Sequence, residues 1–150
     1  MSFATAFADK KLADRNLLSI QQYYEADTSA TDKLARVYNF IHGHYTKNQD
    51  ENSAASLAEA FNNAGVFDFQ AFLSDFHEEN ANIETIISYV TPMNDIQAVS
   101  TEINFYYSKD TGNLSYKISE WKIIFTPEFD KFKYDGQILD LFNPLQEDSN

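Results

Sequence analysis

IQAVSTEINFYYS (residues 96–108), KDTGN (109–113) and LSYKISEWKIIFT (114–126) read as two long β-strands joined by a turn, and this stretch decides the fold. In the first strand Val99, Thr101, Ile103, Phe105 and Tyr107 point one way, and Ser100, Glu102, Asn104 and Tyr106 point the other. Asp110-Thr111-Gly112-Asn113 supplies the turn. In the second strand the apolar phase slips, since Tyr116 and Ile118 have one parity and Trp121, Ile123 and Phe125 the other. A β-bulge near Ser119 and Glu120 restores a single inward face, and bulges bend sheets.

On the N-terminal side a shorter strand is expected from Ile83 to Val90, stopped by Thr91 and Pro92. On the C-terminal side, past Pro127, a last hairpin is expected from Glu128 to Tyr134 and Gln137 to Phe142, turned at Asp135-Gly136.

The first 80 or so residues change period. Phe3, Ala4 and Phe7, then Leu17, Leu18, Ile20 and Tyr24, fall at helical spacing, as one bent helix or two. A small, polar stretch from Ala26 to Thr31 ends in the N-cap candidates Ser29 and Thr31. Leu34, Val37, Tyr38, Ile41 and Tyr45 then form one apolar stripe. After a polar loop at Lys47 to Asn52, Ser53 can cap a short helix carrying Leu57, Ala58 and Phe61 and stopped by Gly65. Asp68 is expected to cap another, with Phe69, Phe72, Leu73 and Phe76 as its stripe. Helices before an antiparallel sheet make the α+β class, one domain over 1–145 with a polar tail at 146–150, and the helices should cover the sheet's concave side.

Composition narrows the chemistry. A chain of 150 residues with 43% hydrophobic and 15% aromatic residues has enough apolar surface for one core. The absence of cysteine excludes thiol catalysis, disulfides and thiolate zinc sites. A net charge of −12 argues against nucleic acid as a partner. No apolar run approaches the ~20 residues of a membrane span, so a cytoplasmic protein without a membrane partner is expected. The acidity is spread along the chain, which suits solubility and also steering of a basic partner protein, as in an acidic inhibitor or immunity-like protein.

Asp110-Thr111-Gly112 matches the aspartic protease triplet, but its residues are those a turn demands. His42 and His44, two apart on a helix, point about 200° from each other and cannot chelate one metal; no metal and no cofactor are expected. His77 follows the Phe72 and Phe76 stripe and could face a cavity. Glu102, Glu120 and Asp140 are carboxylates within strands, and on the inner side of a curved sheet their pKa would rise by desolvation, as a general base requires. Tyr38 reads as a core residue with its hydroxyl at the edge. The residues expected to line a ligand pocket are Tyr38, Phe72, His77, Glu102, Glu120 and Trp121.

The closing run FKYDGQILDLF (132–142), with its Asp-Gly turn and Gly-polar-Ile start, resembles the end of nuclear transport factor 2-like (SnoaL-like, ketosteroid isomerase-like) domains. Residues 65–82, with their aromatic stripe, are similar to the short helix that precedes the first strands there. The resemblance spans Leu34 to Phe142. It implies a cystatin-like cone with a pocket between sheet and helices, and a homodimer through the sheet. For function it implies small-molecule binding, of an apolar ligand, or a protein-interaction role. The catalytic alternative is isomerase, cyclase or dehydratase chemistry on a pocket carboxylate. The isomerase's tyrosine and aspartate find no aligned counterparts, so no catalytic residue is carried over.

Overall fold

The computed structural model describes residues 3–47, 53–63 and 66–125. Four antiparallel strands, β1 (Ala71–Glu79), β2 (Asn82–Pro92), β3 (Gln97–Ser108) and β4 (Leu114–Phe125), form a curved sheet in the order β1-β2-β3-β4, not closed into a barrel. Two helices, α1 (Phe3–Lys47) and α2 (Ala54–Asn62), pack on it. This is the expected α+β class. The expected hairpin from Glu128 to Phe142, Asp140 within it, and the run at 132–142 that carries the family resemblance lie outside the described residues.

The alternation in β3 is as read: Val99, Thr101, Ile103, Phe105 and Tyr107 are buried against the helices. The phase slip in β4 is resolved by a bulge. Glu102 pairs with Glu120 and Ile103 with Ile118, so Ser119 is the extra residue. Its hydroxyl donates to the Glu102 carbonyl oxygen (3.1 Å) and to Glu102 Oε1 (3.0 Å). At the β3–β4 turn Gly112 takes φ +67° and its N–H bonds the Ser108 carbonyl at 2.8 Å, so the Asp-Thr-Gly triplet is a hairpin tip.

Two local expectations are corrected. The stretch from Ala26 to Thr31 does not break the helix: α1 runs unbroken for 45 residues, about 67 Å. Ala26 and Ala30 are buried against the sheet, and the hydroxyls of Thr28 and Thr31 donate back to the carbonyls of Tyr24 (2.8 Å) and Asp27 (2.9 Å). Hydroxyls that bond four residues back stay inside a helix instead of capping a new one.

The helix expected after Asp68 is strand β1. A bulge at Ser74 lies between the pairs Leu73↔Ile87 and Asp75↔Ile86 and shifts the strand's phase. Leu73 and Phe76 therefore share a face although they are three apart, which imitates helical spacing. This also removes the short helix offered as part of the family resemblance.

The core stripe of α1 is Ala26, Ala30, Leu34, Val37, Ile41 and Tyr45. Ser53 caps α2 as expected, with its side chain accepting from the Ser56 N–H at 3.0 Å. Glu78 of β1 accepts from the Ala54 N–H (3.2 Å) and pairs with Lys109, tying the first turn of α2 to both hairpin ends. Those two hydrogen bonds, Lys109 first, hold the Glu78 carboxyl below the usual carboxylate range.

Candidate functional site

A strand residue reaches one side of a sheet only, and this divides the candidate residues into two groups. Tyr38 and Trp121 are on the helix-facing side. The Tyr38 hydroxyl donates to the Leu114 carbonyl (3.4 Å), and its ring meets Tyr116 edge-on at 6.0 Å. Trp121 Nε1 donates to Asp27 Oδ1 at 3.0 Å. Phe72, His77, Glu102 and Glu120 occupy positions of the opposite parity, on the outer side. The sheet thus brings Glu102 and Glu120 together and sets them apart from Tyr38 and Trp121.

The helix-facing side is filled with rings. Tyr45 stacks on Tyr107 at 4.1 Å with 9° between planes, and Phe67 makes close ring contacts with Phe40, Phe61 and Phe69. Burial drives the Tyr45 and Tyr89 hydroxyls toward the neutral form, well above the ordinary tyrosine pKa. The Lys33 ammonium, 5.2 Å from the Phe69 ring centre, donates to the Val90 carbonyl at 3.0 Å and to Thr91 Oγ1 at 3.1 Å; burial pushes its pKa down. On this side a shallow cleft of about 270 Å³ lies beside Tyr38 and Tyr116, walled by Leu34 and Ala35.

On the outer side, Glu102 and Glu120 are direct cross-strand partners. Each carboxylate has a serine hydroxyl, Ser119 on Glu102 and Ser100 on Glu120, both at 3.0 Å, and Lys122 approaches Glu120 at 3.2 Å. Those contacts offset the repulsion of like charges placed opposite each other. The nearest same-face tyrosine along β3, Tyr106, is four residues on, about 13 Å.

Toward the turns the outer side opens into a groove of about 600 Å³, with His77, Glu79, Glu84, Tyr106 and Ser115 on its walls. His77 is exposed and sits 4.0 Å from Glu79. His44 is on the other side of the sheet, its Nε2 3.1 Å from Ser56 Oγ, and burial lowers its pKa. Among the described residues no cluster of His, Cys, Asp and Glu could hold a metal ion. No helix among them is long and apolar enough to cross a membrane.

A third surface was hidden from sequence reading. Every residue of α1 from Phe3 to Gln21 is exposed, including six large apolar side chains. Phe3 is 90% exposed, Leu17 66% and Ile20 53%, and Tyr24, just beyond, is 65% exposed. The helical spacing of these residues was legible, but spacing alone does not say whether an apolar face meets its own domain. No family model, curated protein or solved structure matches the chain.

Proposed function

We propose that the chain is a protein-interaction module, in which an α+β body holds out a helical arm, Phe3 to Gln21, for a protein partner. The observation that carries this reading is the exposure of Phe3, Phe7, Leu12, Leu17, Leu18 and Ile20 on the N-terminal part of α1. Large exposed apolar surface is rare on monomers and marks contact sites.

Of the two nuclear transport factor 2-like roles expected from the sequence, protein interaction is favoured over small-molecule binding. Among the described residues, the Tyr45–Tyr107 stack and the Phe67 cluster take up much of the space between sheet and helices, where such a ligand would sit. Among the described residues, the hydroxyls that meet the Glu102 and Glu120 carboxylates are those of Ser119 and Ser100, which gives a catalytic role on either carboxylate no support.

The outer groove supports a second reading, docking of a basic protein segment. Glu79 and Glu84 line it with Tyr106, and the chain's −12 would speed such an encounter.

Cross-linking in the cells that make the protein tests the first reading. Substituting Leu17→Glu with Ile20→Glu should remove the protein cross-links, and Glu84→Gln should leave them. Cross-links lost with Glu84→Gln alone would favour the groove. A small apolar molecule that raises the melting temperature, with cross-links indifferent to the arm, would overturn the interaction reading.

A further inference from the structure

The exposed arm carries a heptad seam. Phe3, Ala6, Lys10, Ala13, Leu17, Ile20 and Tyr24 are spaced alternately by three and four residues, which is the a/d pattern of two helices in a left-handed coiled coil. Five of the seven positions, Phe3, Ala6, Ala13, Leu17 and Ile20, are apolar residues of the exposed arm, and Tyr24 continues the line. The seam is rotated about a third of a turn from Ala26 and Ala30, the start of the stripe that docks on the sheet. The two faces therefore point in different directions.

We infer that the occupant of this seam is the same seam of a second copy, running antiparallel. This rests on the interaction reading above and names its partner. Within the arm, Asp9, Lys10, Lys11, Asp14 and Arg15 sum to +1, whereas the chain sums to −12. The excess negative charge therefore lies on the rest of the molecule, and two arms can meet without the repulsion that any contact between bodies meets.

The same charges select the direction. In a parallel pair, Lys10 would face Lys10 of the second copy in one layer. Asp9 would also meet Asp14 of the second copy across the flanking positions, and the two acidic bodies would sit side by side. Antiparallel packing with a and d positions in the same layers puts Phe3 against Ile20, Ala6 against Leu17 and Lys10 against Ala13 of the second copy. Lys10 then lies beside Asp14 of the second copy, small residues face large ones, and the bodies are at opposite ends.

The overlap of 18 residues spans about 27 Å. An interface that short falls at the low end of the size range, below about 1,200 Å² in total, and is reversible. The association is not through the sheet, the surface the family resemblance implied.

Sedimentation velocity on the full chain tests this, from about 1 µM to about 500 µM, concentrations that bracket a weak dimer. The sedimentation coefficient should rise from monomer to dimer. Leu17→Glu with Ile20→Glu should abolish the rise, with the circular dichroism and melting temperature of the body retained as a check on folding. Lys10→Leu, which removes the polar seam residue, should strengthen association on the order of tenfold. A monomer throughout the range overturns the inference, as does a dimer indifferent to all three substitutions. A chain that is monomeric alone but whose arm binds phosphatidylserine vesicles overturns it too. If the chain is monomeric and yet loses cross-links to a different protein when the arm is substituted, the second copy is excluded and the interaction reading stands. If the arm substitutions alter neither measurement, both fall.

Discussion

The hydroxyl of Tyr89, on β2, donates a 2.8 Å hydrogen bond to the carbonyl oxygen of Ala30, in the middle of α1. Both residues are buried, and the small side chain at position 30 lets the helix backbone come that close to the ring. This contact lies near the point where α1 changes role. C-terminal to it the stripe from Leu34 to Tyr45 is core, and N-terminal to Gln22 every described residue is exposed.

Tyr89→Phe should cost about 1 kcal/mol, the net worth of one buried hydrogen bond. Ala30→Leu should cost more, about 1–3 kcal/mol, because it over-packs the approach of helix to sheet. Urea denaturation of each variant measures both.

Stability should divide along α1. Ile41→Ala, at a fully buried position, should cost about 2–5 kcal/mol. Leu17→Ala at low protein concentration should change stability by no more than about 0.5 kcal/mol, as an exposed substitution does. Equal losses at the two positions would mean that the arm packs on its own body.

Asn80 turns the β1–β2 hairpin with φ +55°. Asn80→Gly should be close to neutral, while Asn80→Val, β-branched in the left-handed region, should cost about 1–2 kcal/mol. Thermal denaturation of the pair separates backbone strain from loss of a side-chain contact.

Glu78 links folding to pH. Its carboxyl is held below the ordinary range by Lys109 and by the Ala54 N–H, so the folded state binds its proton less readily than the unfolded state does. The stabilisation is complete above the ordinary carboxylate pKa and is lost as pH falls through the depressed one. Glu78→Gln should therefore lower the melting temperature at neutral pH, and the gap from wild type should shrink as the medium is acidified below the carboxylate range. A gap that stays constant with pH would contradict the assignment.

Strand parity and turn chemistry were legible in the sequence because both are local. The alternation from Val99 to Tyr107, the Asp110–Asn113 turn and the slip at Ser119 all appear at the expected residues. Where reading failed, a tertiary contact decided. Ala26 and Ala30 look like loop residues until the sheet lies against them. The bulge at Ser74 gives a strand the spacing of a helix. The candidate site suffered most, because Tyr38 and Trp121 could be placed on the opposite side from Glu102 and Glu120 only once the helix-covered face was known. The exposure of Leu17 and Ile20 was equally out of reach, since periodicity marks an apolar face without naming its partner.

The most direct measurement is the distance between spin labels on a second and a first copy of the chain, which has no native cysteine to interfere. Labels at Leu12→Cys, near the centre of the overlap, should be on the order of 20 Å apart, the spacing of two packed helices and their labels. Labels at Thr28→Cys, at the base of the arm, should be about 50 Å apart at 1.5 Å per residue. Short distances at both positions would mean parallel arms, and no dipolar coupling at either would mean that the arm does not meet its own copy.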